Sequence, residues 1–159
     1  MKKIFLLVAL IATVFVQIGF AQQNNTSEKI PAILPSYYQV KDALVAGNTT
    51  LAATSAGELI KAISNADEKI VGKATKAALT EHANKIVKTK DLNAQREYFA
   101  GLSTGMIALA KSATLSAEPI YQQYCPMKKS SWLSSEKAIK NPYYGSSMLT
   151  CGNVVGTIK

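Results

Sequence analysis

Histidine, cysteine and tryptophan are nearly absent from this chain, which carries one His, one Trp and two Cys in 159 residues. A single His with no suggestive Ser or Asp spacing leaves nucleophilic catalysis without a base. The short motifs of such chemistry are missing too: there is no HExxH, no GxSxG and no glycine-rich phosphate loop. Aromatic residues make up only 8% of the chain and few of them lie among its scattered lysines. The basic excess therefore reads as solvated helix faces rather than as a nucleic-acid stripe. The ten carboxylates fall mostly on expected solvent faces. These absences point to a binding module, not an enzyme.

Long apolar runs are scarce as well, with one exception at the start. Met1-Lys2-Lys3 is followed by an apolar run from Ile4 to Phe20, then Ala21, then the polar Gln22-Gln23-Asn24-Asn25. A basic start, a short apolar core and small residues at the boundary have the layout of a cleaved secretory signal. The expected organisation is a signal peptide at 1–21, a polar tether at 22–31 ending in Pro31, and one domain at 32–159. Cleavage leaves 138 residues, no Cys at the new N-terminus to carry lipid, and no second stretch able to span a membrane. Without Lys2 and Lys3 the balance is 16 basic against 10 acidic residues. The expected location is periplasmic or secreted.

Four helical segments are expected next. Tyr37, Val40 and Leu44 share a face in the first, near 36–46, which stops at Gly47. The second, about 50–66, carries Ala52, Ala56, Leu59 and Ile63 at three-and-four spacing. The third, about 68–89, is read with Val71, Ala74, Ala78, His82 and Ile86 along one side. The fourth opens at Asp91 and runs to about Ser112, with Leu92, Phe99 and Met106 at seven-residue steps and Leu102 and Leu109 between them. Short connections force neighbours antiparallel. The expected fold class is all-α, an up-down four-helix bundle with a long ordered C-terminal coil packed on it, and only a short extended piece near Ile120 to Tyr124.

The tail collects the sulfur. Cys125 and Met127 flank Pro126, and Met148 and Cys151 are offset by three. In an extended segment Cys125 and Met127 point to one side, and in a helical turn Met148 and Cys151 share a face. Thiolate and thioether are soft donors that favour monovalent copper, whereas zinc seldom uses methionine. A Cu(I) site on Cys125, Met127, Met148 and Cys151 is thus coherent. So is a Cys125–Cys151 disulfide, worth roughly 3.5 kcal/mol of loop closure, with the methionines as core filler. A site that switches between the two is a third reading, and unused thiols a fourth. His82 reads as a hydrogen-bonded packing residue first and an additional ligand second. Arg96 is expected to pair with Glu58 or Glu97, or to hydrogen-bond carbonyls of the tail. Trp132, Tyr143 and Tyr144 are expected to hold the tail to the bundle, and Asn141-Pro142 to form a turn.

Tyr124-Cys125-Pro126-Met127, Trp132-Leu133-Ser134, Asn141-Pro142-Tyr143-Tyr144-Gly145 with Met148, and Cys151-Gly152 follow Gln95, Arg96 and Phe99. This pattern, over about 33–155, resembles a family of exported domains of unknown function from Gram-negative bacteria. It is also similar to a domain attached to periplasmic adaptor subunits of heavy-metal efflux pumps. The resemblance implies a helical bundle with a motif-bearing tail and a link to copper handling, with an efflux adaptor or another envelope protein as partner. The expected function is periplasmic Cu(I) buffering or hand-over, the alternative a disulfide-stapled interaction domain without metal. Mass spectrometry of exported protein is expected to find its N-terminus at or near Gln22; an intact Met1 on the mature chain overturns the signal reading.

Overall fold

The computed structural model describes residues 32–159; the expected signal peptide and the expected tether lie outside the described residues. Four helices come first: α1 (Ile33–Val45), α2 (Thr49–Asn65), α3 (Lys73–Lys88) and α4 (Leu92–Ser112). They are followed by β1 (Ile120–Cys125), β2 (Ser130–Ser134), a single 3-10 turn (Gly145–Met148) and β3 (Asn153–Ile158).

Local chemistry sets the helix boundaries. The Asn48 side chain accepts from Leu51 N at 2.9 Å, and that of Asp91 from Ala94 N at 2.7 Å, so each occupies an orphan donor of the helix it starts. Gly47, with φ at 68°, ends the turn after α1. The third helix begins at Lys73, later than its composition suggests. Asp67 accepts backbone bonds from Ile70 and Val71 and a side-chain bond from Lys69 N, which holds 67–71 as a turn.

The stripes of α1, α2 and α4 are buried as expected, through Tyr37, Val40 and Leu44, then Ala52, Ala56, Leu59 and Ile63, then Phe99, Leu102, Met106 and Leu109. The stripe expected on α3 holds only in part. Val71 and Ile86 are buried as expected, but Ala74 and Ala78 are exposed, and Leu79 and Ala83 join Ile86 in facing the core. Alanine carries too little apolar area to fix a helix's phase, whereas Leu79 and Ile86, seven apart, do. Gly101 and Gly105 on α4 receive α3: a Cβ at Gly105 would lie 2.8 Å from the Leu79 side chain and one at Gly101 2.4 Å from the His82 ring.

The all-α expectation is overturned. The tail forms a three-stranded antiparallel sheet in the order β2-β1-β3, so the domain is mixed α and β. Strand β1 is the extended piece near Ile120, but its polar Gln122 and Gln123 break the apolar alternation that marks a half-buried strand. The hairpin turn at 126–129 closes through Lys129 at φ 55°, a left-handed position that no glycine announces. Strand β3 is mostly exposed and carries a bulge opposite Gln122 and Gln123, so it has no alternation to read.

Helices and sheet share one core. Strand β2 lies on α4, and Trp132, Leu133, Tyr143 and Cys125 belong to the same buried cluster as Tyr37 and Phe99. The Phe99 ring stacks on Tyr37 at 5.2 Å between centroids and meets Tyr143 at 6.0 Å. Phe99→Ala is expected to cost about 3 to 5 kcal/mol of unfolding free energy in denaturant titration, as core aromatic truncations do; a loss below about 1 kcal/mol contradicts this core assignment.

Candidate functional site

The two cysteines meet at one end of the β1–β3 ladder. Cys125 is the last residue of β1 and Cys151 lies two residues before β3, in a pairing that sets Tyr124 opposite Asn153. Both are free, and their Sγ atoms are 3.8 Å apart. That is far beyond a disulfide bond of about 2.05 Å. It is the contact distance of two thiols, either of which can donate to the other.

The hairpin turn directs a backbone donor at the buried sulfur: Lys128 N–H donates to Cys125 Sγ at 3.4 Å. Burial pushes the Cys151 thiol up from its ordinary value, and the hydrogen bond and charge of Cys125 push the same way, with the backbone of Met127 pulling against them.

The Met148 carbonyl accepts from Cys151 N at 3.1 Å, and Met127 lies in the hairpin turn that follows Cys125. Their side chains are on the surface, Met127 62% and Met148 40% exposed, while Cys125 is fully buried. The site is therefore a buried thiol and a half-buried thiol, with two exposed methionines close to them in sequence. Among the described residues no group of three or more His, Cys, Asp or Glu side chains is placed to hold a metal ion. The set has thioethers to offer beyond its two thiols, which fits a soft monovalent ion better than zinc.

His82 is not part of this arrangement. Its ring packs against Gly101 between α3 and α4, with Nδ1 buried and unpartnered among the described residues. Arg96 forms no ion pair among the described residues. Its guanidinium donates to the Leu44 carbonyl at 3.1 Å, capping the end of α1, and Gly145 leaves it room, since a Cβ there would lie 2.6 Å from the guanidinium. Glu97 pairs instead with Lys128, tying the hairpin turn to α4, and Glu58 pairs with Lys61.

Aromatic residues support the site from beneath. Trp132 is fully buried, edge-on to Tyr143 at 5.8 Å, and Tyr143 OH donates to the Ser131 carbonyl at 2.7 Å. Tyr144 is half-buried against the same cluster. Two positioning residues carried little signal in sequence. Asn141, fully buried, donates through Nδ2 to the Cys151 carbonyl at 2.7 Å, accepts from Tyr143 N through Oδ1, and donates its own N–H to Leu149 O. The Asn-Pro pair announces a turn but not this three-way fixing. Gln123 gathers the carbonyls of Glu136, Lys137 and Ala138 around its Nε2, and its position in a strand gives no warning of that.

The chain belongs to the family described as protein of unknown function (DUF3347), which matches residues 33–118. That match covers the four helices and ends before β1, so the residues of the sulfur site lie beyond it. No curated protein and no solved structure matches the chain.

Gly152 fixes the last approach to Cys151. Its φ is 148°, and a Cβ there would lie 2.8 Å from the Tyr124 carbonyl oxygen and 3.0 Å from the Trp132 ring. Gly152→Ala is expected to lose about 1 to 3 kcal/mol of stability through backbone strain and to shift Trp132 fluorescence. A variant with wild-type stability and spectrum contradicts the close approach.

Proposed function

We propose that this domain is an exported Cu(I)-binding module whose ligands are drawn from Cys125, Cys151, Met127 and Met148, and that it buffers the ion or passes it to a heavy-metal efflux system through an adaptor or another envelope protein. The observation that carries the reading is the sulfur pair at 3.8 Å, with the Lys128 N–H donating to Cys125 Sγ. Met127 and Met148, both exposed, are two and three residues from the cysteines in sequence. Soft sulfur donors select monovalent copper over harder ions. A half-buried outer thiol with exposed methionines nearby in sequence suits transfer, because an ion can reach Cys151 without opening the core.

Reduced protein is expected to take up one equivalent of Cu(I) in competition with a chromophoric chelator and to melt at a higher temperature as the ion is added, because the ion binds the folded form preferentially. Met127→Ala and Met148→Ala are each expected to weaken binding about tenfold or more without unfolding the domain, since both side chains are exposed. Unchanged stability on adding Cu(I), together with no free thiols in protein isolated from its compartment, overturns the reading in favour of a disulfide-stapled interaction domain.

A further inference from the structure

The two thiols differ in access although they touch. Cys125 is fully buried at the end of β1, while Cys151 is half-buried in the short link between the 3-10 turn and β3, next to exposed Leu149 and Thr150. Closing their Sγ atoms from 3.8 Å to the bond length of about 2.05 Å needs a shift of side-chain size, not a new backbone pairing. The β1–β3 ladder already holds the two chain segments side by side. Directly behind Gly152 lies Trp132, the only tryptophan of the chain and so an internal reporter of the pair's state.

We propose that Cys125 and Cys151 form a reversible dithiol–disulfide switch in which Cys151 is the outer, attacking thiol and Cys125 the inner, resolving one, and that closing the bond withdraws both thiolates from the metal. The oxidant is a disulfide, of low molecular weight or on a protein. The Cys151 thiolate attacks one sulfur of it, the disulfide bond breaks, and one thiolate leaves, giving a mixed disulfide on Cys151. The Cys125 thiolate then attacks the Cys151 sulfur, the mixed bond breaks, and the second thiolate leaves. Two protein thiols are oxidised by two electrons, the external disulfide is reduced to two thiols, and the protons released by Cys125 and Cys151 go to the leaving groups. In the closed form the thioethers of Met127 and Met148 are the remaining donors of the site. The metal-release half of this inference rests on the Cu(I) reading; the exchange half stands on the geometry of the pair.

The test equilibrates the full chain with mixtures of reduced and oxidised glutathione. Closure is read by mass, as the loss of two hydrogens, by thiol counting and by Trp132 fluorescence; Cu(I) affinity is measured on each form. The expected result is a reversible intramolecular disulfide that lowers Cu(I) affinity at least tenfold. Cys125→Ser is expected to accumulate a glutathione adduct on Cys151, and Cys151→Ser to form one on Cys125 at least tenfold more slowly, because access controls the attack. Equal rates in the two variants, failure of the pair to close, or an oxidised form that keeps full Cu(I) affinity overturns the proposal. Reduced protein that closes normally but takes up no Cu(I) supports the exchange and sinks the metal reading instead.

Discussion

One hydroxyl joins the three parts of this domain. Tyr37 of α1 is fully buried, and its oxygen lies 2.7 Å from Ser103 Oγ on α4 and accepts the Leu133 N–H of β2 at 3.1 Å. A buried phenol must find partners or lose roughly 1 to 3 kcal/mol, and here its partners come from residues 66 and 96 positions away. The rings continue what the hydroxyl starts. Tyr37 stacks on Phe99, Phe99 meets Tyr143, and Tyr143 meets Trp132, a line of aromatic contacts from the first helix to the floor beneath Gly152. The position of Cys151 is in this sense set by the helices, through side chains that are not themselves ligands.

The tail stays ordered because buried amides replace regular structure. Between β2 and β3 the backbone has few partners of its own, and buried carbonyls and N–H groups left unpaired would be costly. Asn141 and Gln123 supply the missing partners, the first to Cys151 O, Tyr143 N and Leu149 O, the second to three successive carbonyls at 136–138. Gln95 plays the same part among the helices, facing the carbonyls of Thr49, Ile86 and Thr89. A side chain fixed by several backbone groups leaves its neighbours little freedom, which keeps the two sulfurs close.

What sequence reveals here depends on how much apolar area each position carries. Phe99, Leu102, Met106, Leu59 and Ile63 are large, recur at helical spacing and face the core, so α2 and α4 are legible almost to the residue. On α3, Ala74 and Ala78 imitate a stripe leading to Ile86, and the larger Leu79 sets the true phase. The sheet is hidden for a different reason. β1 buries Ile120, Gln123 and Cys125, with a polar residue in the middle of the set, β2 buries the consecutive Trp132, Leu133 and Ser134 rather than alternate positions, and β3 exposes Val154 and Val155. None of the three keeps a period of two. The proximity of the cysteines was readable as an expectation from their shared segment, while the distance between them and the Lys128 donor came from the pairing of strands, and the separation of His82 from its place on α3 against α4.

The helical match that ends at Glu118 and the sulfur-bearing sheet behind it form one folding unit, not a domain with an appendage. Phe99 and Tyr37 lie in the core because Trp132, Leu133 and Tyr143 cover them, and the Arg96 guanidinium caps α1 in a space that Gly145 of the tail leaves open. The dependence runs both ways, since the sheet has only three short strands and rests on α4 through β2, too little to be stable alone. Any event at the sulfur pair therefore acts on a segment braced against the whole core. The side that is not braced is the exposed one, with Met127, Met148, Leu149 and the outer strand β3, whose main packing is on β1, whereas Cys125 and Trp132 tie the pair to the Tyr37–Phe99 core.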